Sequence, residues 1–413
     1  MIQSKGLDSH RISTSLCEKL VLGMKELALA GRVAKIKYEI RDIVSAAKKV
    51  QQSGKKIHWF NIGDPVKFGF SPPSHVTQAI RAALDDPKYA AYCASEGDFE
   101  LVEAVAKMEG VGTDSVFITN GLSEGIDFLF QALVNAGDNI MLPVPSYPLY
   151  NTKCDIIGGT QNCYQCLENW DPDPSGIRKS INKKTKAIVV INPNNPTGAV
   201  YSRKVLEEIV GIAGEHGLPI IADEIYDQLA FDGEKPVNMR TISKDVPLIS
   251  GNGISKNYLY PGARVGYLAV HGQGTQGLKS ALLKLCNQRL SVNWEMQRGA
   301  LAAFTGSSAH IAPTLKKLRE RRDVVARRVS QIEGLELVAP KAAFYAFVKI
   351  NSKKFKTDKE FVYSLLEKTG VLVVPGSSFS PCLKGNYFRM VFLAMPEELN
   401  EAFDKIEKFM ESK

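Results

Sequence analysis

The sequence predicts an α/β fold built on a mostly parallel sheet, because short apolar runs alternate with stretches of helical periodicity. Apolar runs of this kind are typical of strands whose sheet is covered by helices on both faces. Two helical stretches, Leu122–Val134 and Ser202–His216, fall between such runs, as crossovers between parallel strands require. The predicted strands are Ser115–Thr119, Asn139–Pro143, Ala187–Ile191, Pro219–Asp223, Pro247–Ser250 and Gly266–Val270.

The two ends of the chain follow another pattern and predict a smaller α+β unit. Near the carboxyl end, the stretch Ser330–Ile350 precedes a predicted helix at Asp358–Thr369 and the apolar run Val371–Gly376. We expect this unit to fold together with the amino-terminal region, so that the large domain is an insertion. The predicted division is an amino-terminal segment of the small domain at residues 1–74, a large domain at 75–295 and the rest of the small domain at 296–413.

The composition is that of an ordinary globular protein and gives little support to a nucleic-acid partner. Of 413 residues, 44% are hydrophobic and 23% are charged, and the formal net charge is +8. The densest basic run, Leu315–Val329, has its leucines and valines at helical spacing, so we interpret it as an amphipathic helix with a solvated basic face. The net positive charge favours small anionic substrates instead.

The amino terminus and the apolar runs indicate neither a membrane segment nor a secretory signal. No apolar run approaches the length of a membrane span, and no continuous apolar region with a cleavage site follows the first residues. We therefore expect a cytoplasmic protein without a membrane partner.

Cysteine and histidine are scattered along the chain, which gives little support to a metal site. Of seven cysteines, only Cys163 and Cys166 form a C-x-x-C pair, and no second pair or nearby histidine completes a zinc site. We expect reduced thiols and no metal ion.

A glycine-rich stretch around Lys256 raises the possibility of a phosphate site. The stretch SGNGISKNYLYPGARVG runs from Ser250 to Gly266. A dinucleotide-binding G-x-G-x-x-G beginning at Gly251 would need glycine where Lys256 stands, and a Walker loop ending at Lys55 lacks the required glycine and Ser/Thr. Nucleotide motifs therefore do not explain Lys256.

Polar residues follow three of the predicted strands and converge at one edge of the sheet, where ligands of such sheets bind. Asp223 ends an apolar run, where a carboxylate is costly unless it meets a cation such as a protonated ring nitrogen. Tyr226 offers a phenol, and Asn195 offers an amide from a loop stiffened by prolines. Arg264 offers a fork that suits phosphate.

Lys256 completes this set, because a lysine held among such groups has a depressed pKa and acts as a nucleophile. A phosphate, a ring nitrogen, a phenolic oxygen and an aldehyde for the lysine together describe pyridoxal 5'-phosphate. The electron-sink chemistry of that cofactor needs a lysine and a carboxylate at the ring nitrogen.

The chain resembles the class I/II aminotransferases of fold type I over roughly residues 35–410. Two further stretches, Asn61–Phe70 (NIGDPVKFGF) and Asn252–Lys256 (NGISK), look most like the alanine aminotransferase branch of archaea and bacteria. The resemblance implies a large domain with a mostly parallel seven-stranded sheet in three α/β/α layers and a smaller α+β domain from the two ends of the chain. The matching motifs are NPNNPTG at 192–198, DEIYD at 223–227, SKNYLYPGARVG at 255–266, PSYPLY at 145–150, PGSSF at 375–379 and YFRMVFL at 387–393.

The resemblance also implies a role for each residue around the cofactor ring. Lys256 corresponds to the lysine that binds the cofactor covalently and, once displaced by substrate, moves the substrate proton. Asp223 keeps the ring nitrogen protonated, Asn195 and Tyr226 hydrogen-bond the phenolic oxygen, and Tyr147 stacks on the ring.

Phosphate and carboxylate contacts follow from the same resemblance. The backbone amides of Leu122 and Ser123, at a helix start, join Ser255 and Arg264 around the phosphate. The substrate α-carboxylate is held by Arg389, with help from Asn195 and from the backbone of Gly63. Tyr92 reaches the phosphate of the neighbouring subunit, which implies a homodimer.

Three positions depart from the family pattern, one of them Ala263, which stands before Arg264 where a bulky residue is usual. Gly253 stands where many relatives carry a phosphate-binding serine, although the alanine branch often has glycine there, and Ala342 replaces a usual glycine, which suggests a slightly shifted backbone. The predicted reaction exchanges alanine and 2-oxoglutarate for pyruvate and glutamate. Arg289 and Asn293 are candidates for the distal carboxylate, with structural roles as the alternative.

Three alternatives remain open at this point. The same scaffold serves aminotransferases for aromatic amino acids, aminoadipate or other amino acids, and it serves C–S lyases that eliminate a leaving group. A transcription regulator that borrows the fold would need an amino-terminal DNA-binding domain, and about 30 residues before the matching region are too few for one.

Overall fold

The computed structural model describes residues 27–34, 36 and 39–412, and the chain divides into two compact units. The first unit ends at Ile36, and its described part contains the short helix α1 at Gly31–Ala34. The second unit runs from Lys37 to Lys413 and holds the remaining elements. Its helices are α2 Glu39–Gln52, α3 Ser74–Asp85, α4 Phe99–Glu109, α5 Leu122–Leu133, α6 Pro148–Ile156, α7 Pro174–Ser180, α8 Arg203–His216, α9 Gln276–Arg289, α10 Trp294–Thr305, α11 Ile311–Gln331, α12 Asp358–Thr369 and α13 Pro396–Glu411.

The strands of the second unit form three sheets. Short 3₁₀ helices lie at Pro65–Phe68, Pro87–Ala90, Thr113–Ser115, Met239–Thr241, Pro261–Ala263 and Gly376–Phe379. The strands are β1 His58–Trp59, β2 Val116–Thr119, β3 Asn139–Val144, β4 Thr160–Gln165, β5 Thr185–Ile191, β6 Ile220–Asp223, β7 Leu248–Gly253, β8 Gly266–His271, β9 Leu335–Glu336, β10 Tyr345–Ile350, β11 Val371–Leu372, β12 Val374–Pro375 and β13 Tyr387–Val391.

The central sheet has seven strands, as the resemblance implied, and their order is β2-β8-β7-β6-β5-β3-β4. Five neighbouring strands, β4, β3, β5, β6 and β7, are parallel, whereas β8 is antiparallel to both β7 and β2. The six predicted strands all form, and none of their ends is shifted by more than three residues. Strand β4 was not predicted because its sequence, TQNCYQ, is mostly polar. The strand lies half-exposed at the edge of the sheet.

Helices cover both faces of the central sheet because the strands are apolar on both sides, which confirms the three-layer α/β/α fold. In β5, Val189 packs in one cluster with Leu129 of α5. Its neighbours Ile188 and Val190 point the other way and pack with Leu206 of α8. Alternate strand residues face opposite sides of a sheet, so one apolar run supplies both cores.

The two ends of the second unit meet in smaller sheets. Strand β1 pairs in parallel with β11, where His58 lies opposite Val371. An antiparallel sheet of order β12-β13-β10-β9 stands beside it, and Phe60 near the start packs in one cluster with Phe388 and Phe403 near the end. These contacts agree with a small unit built from both ends, and the boundaries at residues 74 and 295 stay a prediction.

Helix α11 carries the basic run, and the amphipathic helix is as predicted. Leu318, Val325 and Val329 are buried on its inner face. Arg321 differs from a solvated basic residue, because its side chain is buried, donates to the carbonyl of Leu393 and lies over the ring of Phe70 at 4.6 Å.

The thiols do not follow the expectation of a fully reduced set. Cys163 forms a disulfide with Cys382 rather than pairing with Cys166. Cys93, Cys154, Cys166 and Cys286 are free, and Cys17 lies outside the described residues.

Neither a membrane-spanning helix nor a cluster of metal ligands occurs among the described residues. None of the described helices is long and apolar enough to cross a membrane. No group of three or more metal-ligating side chains occurs within the described part of the chain.

Candidate active site

One cavity of about 520 Å³ brings the predicted site residues together. It opens at the carboxyl ends of β5 and β6 and at the loop after β7, the edge where the sequence placed the ligand. Of the residues predicted to bind the cofactor or the substrate α-carboxylate, all but Tyr92 line it. The predicted residues that line the cavity are Gly63, Leu122, Ser123, Tyr147, Asn195, Asp223, Tyr226, Ser255, Lys256, Arg264 and Arg389.

Asp223 is the last residue of β6, and its carboxylate is buried beneath the cavity. Tyr150 donates its phenol hydrogen to Asp223 Oδ2 at 3.0 Å, and the backbone amide of Ile225 donates to Oδ1 at 3.3 Å. Burial raises the pKa of Asp223 to about 6, although both hydrogen bonds and the charge of Lys256 oppose the rise. A cation above this carboxylate would therefore be strongly favoured.

Lys256 lies in the loop after β7, and its amine donates to the carbonyl of Gly63 at 2.8 Å. Its ammonium also lies 5.6 Å from the ring centre of Phe344. Burial lowers the pKa of Lys256 to about 8, helped by Arg264 and Arg389 and opposed by Asp64 and Asp223. An amine with such a pKa is a good nucleophile near neutral pH.

An anion cradle lies at the amino end of α5, where backbone amides point out of the helix. Gly121 caps this helix with a φ of 70°, and a Cβ atom there would collide with the guanidinium of Arg264. Arg264 donates to the carbonyls of Pro261 at 3.0 Å and Asn120 at 3.3 Å. With Ser255 in the cavity wall, the cradle offers the donors that a phosphate monoester needs.

The opposite wall of the cavity carries the second guanidinium. Arg389, in β13, is 2% exposed and donates to Asn195 Oδ1 at 3.3 Å and to the carbonyl of Asn61. Its guanidinium lies 4.8 Å from the ring centre of Tyr345 and 4.9 Å from that of Phe379. These contacts and the two hydrogen bonds restrict the guanidinium, whose planar fork suits a carboxylate.

Two tyrosines at the site were missed by the sequence reading. Tyr345 lines the cavity, and its hydroxyl is 2.7 Å from that of Tyr226. Tyr150 is fully buried and reaches Asp223 from α6. Tyr150 belongs to the motif PSYPLY, and Tyr345 belongs to the stretch Ser330–Ile350. The spacing of residues does not show which side of an element their hydroxyls face.

Tyr92 stands apart from the cavity that its own chain forms. It follows the short helix at Pro87–Ala90, and its side chain is 82% exposed. An exposed tyrosine of this kind is available to another copy of the chain.

The two candidates for the distal carboxylate make structural contacts within their own chain. Arg289 donates to the carbonyls of Ser95 at 3.2 Å and Ile118 at 3.0 Å, and Asn293 caps α10 by accepting from the amide of Met296. Neither residue lines the cavity of its own chain.

Two of the departures from the family pattern have local explanations. A Cβ atom at Gly253 would lie 2.7 Å from the carbonyl oxygen of Val265 and 2.8 Å from the Cα of Gly266, so the paired strands β7 and β8 leave no room for serine. Ala342 has an ordinary backbone, and the left-handed residue is its neighbour Ala343, with a φ of 61°.

The residues present fit pyridoxal 5'-phosphate. An amine lies in the cavity for the aldehyde, a buried carboxylate with a raised pKa suits a cationic ring nitrogen, and a helix start with an arginine suits the phosphate. The guanidinium of Arg389 is not needed to hold the cofactor and is available to a substrate carboxylate.

Comparison with known proteins identifies the family. The family described as Aminotransferase class I and II matches residues 55–406. Glutamate-pyruvate aminotransferase AlaA of Haemophilus influenzae is 37% identical over 392 residues, which cover 90% of this chain and 95% of that protein. Tyrosine aminotransferase of the mouse is 32% identical over 389 residues, or 90% of this chain and 85% of that protein.

A solved structure agrees with this assignment. Alanine aminotransferase from Pyrococcus furiosus matches with a TM-score of 0.90 and 40% identity, covering 94% of this chain and 100% of that one. The chain therefore belongs to the class I and II aminotransferases, enzymes that use pyridoxal 5'-phosphate to move amino groups between amino acids and 2-oxo acids.

Proposed function

We propose that the protein transfers the amino group of alanine to 2-oxoglutarate, giving pyruvate and glutamate. The observation that carries this proposal is the grouping of Lys256, Asp223 and Arg389 around one cavity. Similarity to glutamate-pyruvate aminotransferase AlaA and to the Pyrococcus alanine aminotransferase supports the choice of substrates.

The apolar wall beside Arg389 supports a substrate with a small side chain. Arg389 donates to the backbone carbonyl of Asn61, and the side-chain amide of Asn61 donates to the carbonyl of Ile40 at 3.2 Å. Ile40 and Ile62 both line the cavity on this side. Apolar surface next to a carboxylate clamp suits the methyl group of alanine and the chain methylenes of glutamate.

Proton transfer falls to Lys256 in this proposal. Pyridoxal 5'-phosphate, when bound, supplies an electron sink for the pair left by the Cα proton. The Lys256 amine takes that proton at Nζ, and a pKa of about 8 leaves enough free amine near neutral pH for the task. Asp223 stays ionised opposite the ring nitrogen and stabilises its positive charge.

The other residues orient the reacting groups. Tyr226 and Asn195 would donate to the phenolic oxygen, and Tyr147 would pack against the ring face. The amides of Leu122 and Ser123 would hold the phosphate together with Ser255 and Arg264. Arg389 holds the substrate carboxylate with Asn195 and the backbone of Gly63, which fixes the Cα–H bond near Lys256.

A substrate panel tests the proposed reaction. Purified protein with alanine and 2-oxoglutarate should yield pyruvate and glutamate in equal amounts, and neither product should form when one substrate is omitted. The value of kcat/KM for alanine should exceed those for tyrosine, aspartate and 2-aminoadipate. A preference for tyrosine would contradict the proposal, and so would pyruvate and ammonia formed from cystathionine without any oxo acid.

One variant tests the role of Lys256. Lys256→Ala should lose turnover and should no longer be labelled when borohydride is added to the cofactor-loaded protein. Lys256→Ala with full turnover would overturn the mechanism.

We also propose that the enzyme is a cytoplasmic homodimer in which Tyr92 completes the neighbouring site. The Tyr92 side chain is 82% exposed and lies outside the cavity of its own chain, which supports a contact with a second chain. Light scattering should give twice the mass of one chain, and Tyr92→Phe should weaken cofactor binding.

Mixed dimers make the Tyr92 test sharper. A Tyr92→Phe chain paired with a Lys256→Ala chain should contain one normal site, because Lys256 of the first chain receives Tyr92 of the second. Cofactor affinity at that site should equal the wild-type value. If Tyr92 served its own chain, no normal site would form.

A further inference from the structure

Asp64 lines the cavity but has no role in the mechanism described so far. It occupies the position before the short helix Pro65–Phe68, where an aspartate usually accepts a hydrogen bond from a backbone amide of the helix. The Asp64 side chain makes no such bond. Capping of the helix therefore does not explain the carboxylate.

The two oxygens of Asp64 have different surroundings. Oδ2 lies 3.8 Å from Nζ of Lys67, a residue whose side chain is 70% exposed. Oδ1 is shielded from solvent and accepts no hydrogen bond from a described residue. A buried carboxylate oxygen without a donor costs free energy, about 1–3 kcal/mol or more for a charged group. A donor for Oδ1 would remove this cost.

Lys256 lines the same cavity and is the candidate donor. Its amine donates to the carbonyl of Gly63, the residue that precedes Asp64. An ammonium has three hydrogens to donate, and Gly63 accepts one of them. The charged groups that act on Lys256 are Asp64 and Asp223, which favour its protonated form, and Arg264 and Arg389, which oppose it.

We propose that Asp64 is a positioning residue that, with the carbonyl of Gly63, holds the ammonium of Lys256 whenever the lysine is not bonded to the cofactor. The inference rests on the proposed role of Lys256 in proton transfer. As the Cα–H bond breaks, an N–H bond forms at Nζ, and Asp64 stabilises the positive charge until the proton is passed on. In this proposal Asp223 stabilises the positive charge of the ring nitrogen, and Asp64 stabilises that of Lys256.

Lysine reactivity in the full-length protein tests this role without measuring turnover. The protein is prepared without cofactor and with pyridoxamine 5'-phosphate, so that Lys256 is free in both forms. The rate at which Lys256 is modified by an amine reagent is followed against pH by peptide mass spectrometry. Removal of the Asp64 charge should lower the pKa of Lys256.

Matched variants separate charge from loop structure. Asp64→Asn should lower the pKa of Lys256 by about half a unit or more, which raises its modification rate at pH 7 about threefold. Asp64→Glu should restore most of the wild-type value. Lys67→Met, which leaves Asp64 in place, should not lower the pKa.

The outcomes distinguish this proposal from the proposed reaction. An unchanged Lys256 pKa in Asp64→Asn would overturn it, and so would an equal fall in Lys67→Met. Failure of the substrate panel would contradict the proposed substrates but would leave the lysine measurement intact. In the loaded enzyme, Asp64→Asn should lower kcat for alanine more than it raises KM, since Asp64 does not contact the substrate carboxylate.

Discussion

Burial acts in opposite directions on the two titrating residues of this site. It raises the pKa of Asp223 to about 6 and lowers that of Lys256 to about 8, so both groups titrate close to neutral pH. Each shift arises because a charge is costly where water is excluded. The site is therefore prepared for a ligand that brings a positive charge to Asp223 and forms a bond with Lys256.

The raised pKa of Asp223 predicts a pH-dependent loss of stability in the cofactor-free protein. The folded state binds this proton more tightly than the unfolded state, so its contribution to stability falls as pH rises from about 4 to about 6. The full loss is about 3 kcal/mol above pH 6. Asp223→Asn removes the titration, so its stability relative to wild type should rise across this window and then level off.

Urea unfolding of the two cofactor-free proteins between pH 4 and 7 measures this difference. Bound cofactor supplies a cation for Asp223 and should abolish the pH dependence of the difference. A constant difference across the window without cofactor would contradict the assignment of the raised pKa to Asp223.

The two arginines of the cavity should separate in kinetics. Arg389→Lys keeps the positive charge but loses the planar fork, so KM for alanine should rise about 10- to 100-fold while visible absorbance of the bound cofactor remains. Arg264→Lys is the matched control and should weaken cofactor binding with a smaller effect on KM. Titration with cofactor and steady-state kinetics measure both, and a swapped pattern would contradict the two assignments.

Single residues were predictable where a motif fixes their place at a strand end. Asp223 and Lys256 follow apolar strands, and the sheet geometry alone brings them together. Tyr345 and Asp64 were missed because their function depends on where a side chain points. A rotamer is decided by packing between distant segments, which spacing along the chain does not encode.

At the scale of elements, hydrophobic patterns predicted the interior strands and the helix ends well. Helix α12 has the predicted bounds, Asp358–Thr369, because Thr357 caps its start and Gly370 ends it in a left-handed conformation. Strand β4 was missed because an edge strand buries one side only, and its polar residues then resemble a loop.

The close packing of β7, β8 and the start of α5 depends on two glycines, Gly253 and Gly266. A Cβ atom at Gly253 would strike backbone atoms of Val265 and Gly266, and a Cβ atom at Gly266 would lie 2.5 Å from the amide nitrogen of Leu122. The glycines therefore let β7, β8 and the start of α5 approach closely. The absence of serine at 253 follows from this packing in the present chain.

Substitution of Gly253 by serine should consequently destabilise the protein rather than add a phosphate contact. Separation of β7 from β8 should cost about 1–3 kcal/mol of unfolding free energy, and cofactor affinity should fall. Gly211→Ala is the control, because Gly211 lies in α8 with open space around it and should stabilise by about 0.5–1 kcal/mol. Tighter cofactor binding by Gly253→Ser would contradict this explanation.

At the scale of the whole molecule, contacts between distant segments complete both the fold and the site. Arg389, Asn61 and Asn195 lie far apart in sequence and meet at the cavity. The pairing of β1 with β11 closes the small unit in the same way. Order along the chain predicted that the two ends fold together, but their register and the Cys163–Cys382 pair could not be read from spacing.

The disulfide ties the edge of the central sheet to the loop before β13, the strand that carries Arg389. Cys163 lies in β4 and Cys382 lies three residues after Phe379, whose ring packs against the Arg389 guanidinium. Cys166 stays free, and burial raises the pKa of its thiol to about 12, which makes it a poor nucleophile. A link across 219 residues of chain restricts the unfolded state strongly.

Loss of this link should lower the free energy of unfolding by about 2–4 kcal/mol. Cys163→Ser, Cys382→Ser and the double variant should be equally destabilised, because each removes the same bond. Dithiothreitol should destabilise the wild type and leave the double variant unchanged. Peptide mapping without reductant should find the peptides of Cys163 and Cys382 joined. Separately alkylated peptides, or equal sensitivity of wild type and double variant to reductant, would show that the two thiols are not bonded in solution.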